Sequence, residues 1–200
     1  MVRLVILGGP GAGKGTQARQ LCGQLNISGI STSDILREAI ASQTDLGRQA
    51  QVYVEKGELV PDSIMIEFMR QRLLQPDAAR GWLLEGYPRT AFQAEELDFL
   101  LDELDQKLDW AIYLQVSDSQ MMSRSVGRSC PLQDNTEEVL IAADSRPDDQ
   151  PEIVQRRINL FQERLPLLLE YYSYHQRLLT INGEQEPEQV QQNILQKLKV

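Results

Sequence analysis

The chain has 200 residues, 42% hydrophobic and 24% charged, a balance suited to one globular domain able to bury a sizeable core. Its net charge of −9 argues against partners gripped through a general basic surface, such as nucleic-acid polymers or anionic membranes. No apolar run approaches the roughly 18 residues of a membrane helix, and Cys22, Cys130 and a single histidine are too few for a disulfide framework or a common zinc site.

Val2-Arg3-Leu4-Val5-Ile6-Leu7 is a short, apolar, β-branched run that reads as a buried parallel strand. Met1-Val2-Arg3 enters it directly and shows no signal or transit pattern, so the expected compartment is the cytoplasm. Gly8-Gly9-Pro10-Gly11-Ala12-Gly13-Lys14-Gly15-Thr16 follows, and Gln17 to Cys22 reads as helix. Strand, glycine loop and helix are the context that a phosphate-binding P-loop requires. Glycines let the backbone approach an anion, and amide N–H groups converge on it at a helix N-terminus, where the dipole also favours negative charge. Lys14 adds a mobile point charge. The generic spacing puts a Mg²⁺-reaching hydroxyl at position 15; here that position is Gly15, and Thr16 follows.

Asn26 to Ile30 reads as a short strand, and Ser31-Thr32-Ser33-Asp34 as capping residues ahead of a helix over Ile35 to Ile40. Further helices are expected over 46–56, ending before Gly57, and from Val60-Pro61-Asp62 through Leu74. Gly81 to Glu85 is a buried strand running into Gly86-Tyr87-Pro88-Arg89-Thr90, and an acidic amphipathic helix covers 91–106. Trp110 to Val116 is the next strand, and Asp118 to Arg128 a helix. Residues 129–145 have no clear period. A long helix over 149–177 should bend at Pro166, which lacks an N–H to donate. A last strand, Leu178 to Asn182, and a last helix, Pro187 to Leu198, complete the chain.

Strands alternating with helices imply an α/β fold: a three-layer P-loop domain with a central parallel sheet of about five strands and helices on both faces. Ligands of such sheets bind beyond the carboxyl ends of the strands, where the P-loop, Ser31–Arg37 and Glu85–Thr90 should meet. Seven cations fall near those ends: Lys14, Arg37, Arg89, Arg124, Arg128, Arg146 and Arg157. In an acidic chain this points to a site for several phosphates, which arginine binds bidentately. His175, late on a helix beside Tyr174, is expected to be structural.

The motifs Gly-Gly-Pro-Gly-Ala-Gly-Lys-Gly-Thr-Gln, Ile-Ser-Thr-Ser-Asp-Ile-Leu-Arg, Gly-Glu-Leu-Val-Pro-Asp, Gly-Tyr-Pro-Arg-Thr and Arg-Pro-Asp-Asp-Gln, in that order, resemble the adenylate kinases over nearly the whole chain. The resemblance implies a reversible transfer, ATP + AMP ⇌ 2 ADP, with Mg²⁺, no zinc, and small nucleotides as partners of a monomer. It divides a single 1–200 domain into a core of 1–30, 61–127 and 147–200, an AMP-binding segment over 31–60 and a lid over 128–146. It implies that Gly11, Ala12, Gly13, Lys14, Gly15 and Thr16 hold the ATP phosphates. Arg124 would stack on the ATP base, and Gln185 would lie beside it. Thr32, Arg37, Glu58, Leu59, Val60, Gly86, Tyr87, Pro88, Arg89 and Gln93 would hold AMP, with Arg37 and Arg89 on its phosphate and Gln93 on the adenine edge. Arg128, Arg146 and Arg157 would close over the transferring group, Arg146 and Arg157 also reaching AMP. Lys14, Arg89, Arg128, Arg146 and Arg157 are the implied catalytic set. Mg²⁺ would be held mainly by phosphates and water, with Thr16 and Glu85 behind that water. A cis peptide before Pro88 is also implied.

The chain departs from the family in four places. Glu85 stands where the family has Asp before Gly-Phe-Pro-Arg, and one extra methylene moves the carboxylate by roughly 1.5 Å; a misplacement near 1 Å can cost about 100-fold in rate. Ser33 replaces a glycine, which strains the backbone if the position needs φ > 0 and is harmless as a helix cap. The stretch between Arg128 and Arg146 is acidic, carries the apolar run Val139 to Ala143, and has Cys130 in place of a four-cysteine zinc lid. Gln185 stands where relatives often have Lys. A UMP/CMP-type kinase and a catalytically detuned nucleotide sensor remain the alternatives, with Thr32 and Gln93 favouring adenine.

Overall fold

The computed structural model describes residues 1–55, 60–127 and 150–199. Five parallel strands, β1 (Arg3–Leu7), β2 (Ser28–Ser31), β3 (Trp82–Glu85), β4 (Trp110–Gln115) and β5 (Leu178–Asn182), form one sheet in the order β2-β3-β1-β4-β5. Among the described residues the α-helices are α1 (Lys14–Leu25), α2 (Thr32–Ala41), α3 (Asp45–Glu55), α4 (Asp62–Leu73), α5 (Ala91–Glu103), α6 (Asp118–Gly127), α7 (Pro151–Tyr174) and α8 (Pro187–Leu198).

The strands read as unbroken apolar runs because both faces of the sheet are covered, and the two-residue period of a strand divides each run between two cores. Val5 and Leu7 of β1, Trp82 and Leu84 of β3, and Ala111 and Tyr113 of β4 face one core, built with Met65, Phe68 and Met69 of α4, Leu97 and Leu101 of α5, and Leu165 and Leu168 of α7. Leu4 and Ile6, Leu83, and Ile112 and Leu114 face the other, with Leu21 of α1, Met121 of α6, Val154 and Ile158 of α7, and Val190 and Ile194 of α8. Helix α7 therefore passes from one core to the other along its length. Its carboxyl end is tied to α5 by Asp98, which accepts from Tyr171 Oη at 2.6 Å and from Arg177 Nη1 at 3.0 Å. His175 follows α7 with its ring 4.6 Å from that of Tyr171.

Pairing of β3 with both neighbours sets Ile6 opposite Glu85 and Ser31 opposite Glu85, so the carboxyl ends of β1, β2 and β3 finish level. The element boundaries differ modestly from the sequence reading. The second strand is Ser28–Ser31 and not Asn26–Ile30, because Asn26 takes a left-handed conformation that ends α1. A 3-10 turn covers Pro76–Arg80, where the sequence pattern marks no element. The long helix continues through Pro166, an exposed position flanked by the buried Leu165 and Leu168 that hold it to the core. The Tyr87–Pro88 bond is cis.

Candidate active site

Beyond the level strand ends lies a cleft of about 960 Å³. The P-loop forms one wall. Gly11 has φ +72, and a Cβ there would lie 2.5 Å from the Met121 carbonyl oxygen and 2.8 Å from Ser125 Oγ, so only glycine allows the loop to lie this tightly on α6. Gly13 caps α1 in a left-handed conformation, aiming the first amides of the helix back over the loop. Lys14 folds against its own loop, Nζ donating to the Gly9 carbonyl at 2.8 Å. Opposite, the Glu85 carboxylate oxygens lie 3.6 and 3.7 Å from where a Gly15 Cβ would be. A hydroxyl-bearing side chain at position 15 would extend further into this narrow space, a physical reason for the Gly-Lys-Gly-Thr order.

The second wall is the turn after β3. Gly86 has φ +89, and a Cβ there would stand 2.3 Å from Thr32 Oγ1. Thr32 is itself buried and donates to the Glu85 carbonyl at 3.3 Å, locking the start of α2 beneath the turn. Gln93 completes the lock: Oε1 accepts from Arg89 N at 2.7 Å, and Nε2 donates to Asp62 Oδ1 at 2.5 Å at the head of α4. Arg89 donates from Nε to the Gly86 carbonyl at 2.8 Å and projects into the cleft. Its surface faces the open cleft although protein walls it in. That burial, followed by the nearby Arg157 and Arg164 charges, disfavours its cationic form.

On α2 the side chain of Ser31 caps the helix, accepting from Asp34 N at 3.3 Å. Ser33 lies in the first turn and has no positive φ, so it is neither strained nor the cap. Arg37 is exposed at the cleft edge, paired with Asp34 and donating from Nε to the Ser33 carbonyl at 3.1 Å. Arg157 and Arg164 enter from α7.

Of the residues expected from sequence, Lys14, Gly15, Arg37, Glu85, Gly86, Pro88, Arg89 and Arg157 line this cleft. Gly11, Ala12, Gly13 and Thr16 belong to the adjoining loop and first helical turn, outside the lining; Ala12 is buried and Thr16 exposed. Val60, Tyr87 and Gln93 are buried behind the cleft wall. Arg124 sits away from it, with Nη1 donating to the Gly183 carbonyl at 2.8 Å and Nη2 to that of Glu184 at 3.2 Å. Gln185 is next in that loop, its Oε1 accepting from Asn193 Nδ2 at 2.8 Å. Glu58, Leu59, Arg128 and Arg146, with the 128–146 lid, lie outside the described residues. Sequence reasoning passed over Arg164, although it follows Arg157 by seven residues on one helix, a spacing that returns to the same face. It also passed over Cys22, whose thiol lines the cleft and is pushed up by burial.

A P-loop at a strand end, facing a carboxylate and arginines from α2, α7 and the turn after β3, defines a P-loop phosphotransferase. The sequence model of the adenylate kinases matches residues 6–177, and the chain belongs to that family. It is 60% identical over 199 residues to Adenylate kinase 2 of Nostoc sp., covering all of both chains. It is 51% identical over 197 residues to Adenylate kinase 2 of Synechocystis sp., covering 98% of this chain and all of the relative. To Adenylate kinase 1 of the same Nostoc strain it is 42% identical over 190 residues, covering 95% of each.

Proposed function

We propose that the cleft binds ATP at the P-loop side and AMP at the side of α2 and the Gly86–Arg89 turn, and transfers the γ-phosphoryl group between them to give two ADP. The observation that carries this reading is the convergence of Lys14, Arg37, Arg89 and Arg157 on one cleft of a chain with net charge −9. Phosphoryl transfer asks little covalent chemistry of a protein; it needs in-line placement and neutralisation of charge on the transferring oxygens. In the proposed roles, the Gly11–Thr16 amides and Lys14 hold the ATP phosphates. Arg37 and Arg89 hold the AMP phosphate, and Arg157 spans the two.

Thr32 and Gln93 serve AMP indirectly in this reading, by fixing the turn that carries Arg89. Val60 and Tyr87 support the same wall from the core. Arg124 holds the Gly183–Gln185 loop, against which the ATP base is proposed to rest.

The site suits Mg²⁺. Glu85 offers hard carboxylate oxygens beside the P-loop, while the described residues contain no cluster of three acidic, His or Cys ligands that would cage a metal without phosphates. Bound beside the phosphates, Mg²⁺ would supply positive charge to offset theirs. Glu85 would orient its water. No helix among the described residues is long and apolar enough to cross a membrane, and we propose a monomeric cytoplasmic enzyme acting on free nucleotides.

The test is ADP formation from ATP, AMP and Mg²⁺, with CMP, UMP and GMP as rival acceptors and Glu85→Asp alongside. Turnover with AMP well above the rivals is expected, with Glu85 tolerated because Gly15 leaves its carboxylate room. Preference for CMP or UMP would replace the acceptor in this reading. A nearly inactive wild type rescued by Glu85→Asp would replace it with a nucleotide sensor.

A further inference from the structure

Arg164 has no role among those given above. It is half-buried and lines the cleft, yet it makes no hydrogen bond or ion pair with any described residue. Several other described arginines of comparable or greater exposure are paired with carboxylates: Arg37 with Asp34, Arg48 with Asp45, Arg70 with Glu103 and Arg72 with Asp77. Arg164 instead stands near Arg89 and, with Arg157, disfavours the Arg89 charge. Like charges gathered in a partly desolvated cleft repel one another, and a multivalent anion between them reverses the sign of that interaction.

The course of α7 indicates which anion. Val154 and Ile158, bracketing Arg157, pack in the core shared with Ala12 and Met121 beneath the P-loop. Leu165 and Leu168, which follow Arg164, pack in the core shared with Val60 and Tyr87, against which Ile35 and Leu36 also lie. Seven residues carry the helix about 10 Å, from the donor side to the acceptor side. Ile35, Arg37 and Glu38 line the cleft together with Arg164 and Leu168.

We propose that Arg164 is a further binding residue for the acceptor, contacting the phosphate of the nucleoside monophosphate beside Arg37 and Arg89. This rests on the assignment of the α2 side of the cleft to the acceptor. The planar guanidinium suits a dianionic phosphate, whose terminal oxygens offer more acceptor lone pairs than the paired bonds of Arg37 and Arg89 fill.

The experiment compares wild type with Arg164→Met, Arg164→Lys and Arg156→Met, the last removing an exposed charge on the same helix outside the cleft. Steady-state KM is measured for AMP and ATP separately, with AMP affinity by calorimetry at several salt concentrations and a thermal midpoint for each variant. For Arg164→Met the KM and Kd for AMP should rise about tenfold or more, the scale of one lost charge-assisted bond. KM for ATP should move less than about twofold, and the salt dependence of AMP binding should flatten. Arg164→Lys should recover part of the affinity, Arg156→Met should match wild type, and the midpoint of Arg164→Met should not fall. AMP constants within about twofold of wild type, or equal shifts for AMP and ATP, would overturn the proposal. Weakened AMP binding in a protein that forms no ADP would refute phosphoryl transfer and support Arg164. Normal ADP formation with unmoved AMP constants would do the reverse.

Discussion

Replacing Gly11 by Ala tests whether the P-loop works through the tight packing seen against α6. The new methyl group would start 2.5 Å from the Met121 carbonyl oxygen, and an ordinary contact of 3.4 Å requires the loop and helix to part by about 0.9 Å. The left-handed φ of +72 adds strain of roughly 1–2 kcal/mol for a residue with a Cβ. In a domain of this size each kcal/mol lowers Tm by about 2–4 °C. A shift near 1 Å in groups that position a reacting phosphate costs about 100-fold in rate. Gly11→Ala should therefore lose about 100-fold in kcat/KM for ATP and a few degrees in Tm, measured by coupled ADP detection and thermal unfolding. Gly23→Ala, in α1 just beyond the loop, is the control. Gly23 is exposed, has nothing within 4 Å of its Cβ position, and should stabilise by about 0.5–1 kcal/mol with activity unchanged. Activity of Gly11→Ala within about threefold of wild type, at unchanged Tm, would refute the packing argument.

Tyr87 is 2% exposed, and its hydroxyl finds no hydrogen-bond partner among the described residues. Burial, then the Asp62 and Glu96 charges, push its pKa upward, so it is neutral throughout the working range. Tyr87→Phe should stabilise by about 1 kcal/mol, because an unpaired buried hydroxyl is removed with little change of shape; denaturant melts that instead show a loss of that size would mean the hydroxyl is paired. Burial raises the Cys22 thiol above its ordinary 9.0 and so keeps it protonated at neutral pH. Alkylation at Cys22, followed by site-resolved mass spectrometry, should be slow at pH 7 and climb only above pH 9, with nucleotide slowing it further. A midpoint at or below the ordinary thiol value would contradict the burial.

Much of the site was legible because its signals are local. The P-loop is a run of nine residues whose glycines, lysine and strand–loop–helix setting act within one turn of chain. The alternation of helices and apolar runs implied a covered parallel sheet, and the carboxyl-end rule then brought Lys14, Arg37, Glu85 and Arg89 to one edge. The 3-10 turn at Pro76–Arg80 carried no comparable pattern. Ser33 was ambiguous from its type alone, and the hydrogen bond from Asp34 N to Ser31 settles which serine caps α2.

What the chain order could not contain is how side chains divide between cleft and wall. Thr32 and Gln93 are polar residues near the proposed acceptor side, but their hydrogen bonds to the Glu85 carbonyl, Arg89 N and Asp62 place them in the wall that holds Arg89. Glu85 is 53 residues from Thr32 and Asp62 is 31 from Gln93, beyond any helical or strand period. Arg164 shows the converse. On sequence it is one more arginine on a long helix, where a solvated surface charge is the ordinary outcome. Local chemistry determined the phosphate loop and the layered fold. Only the passage of α7 from one core to the other decided that this guanidinium faces the cleft, because the direction of a helical side chain is set by what the opposite side of its helix must bury.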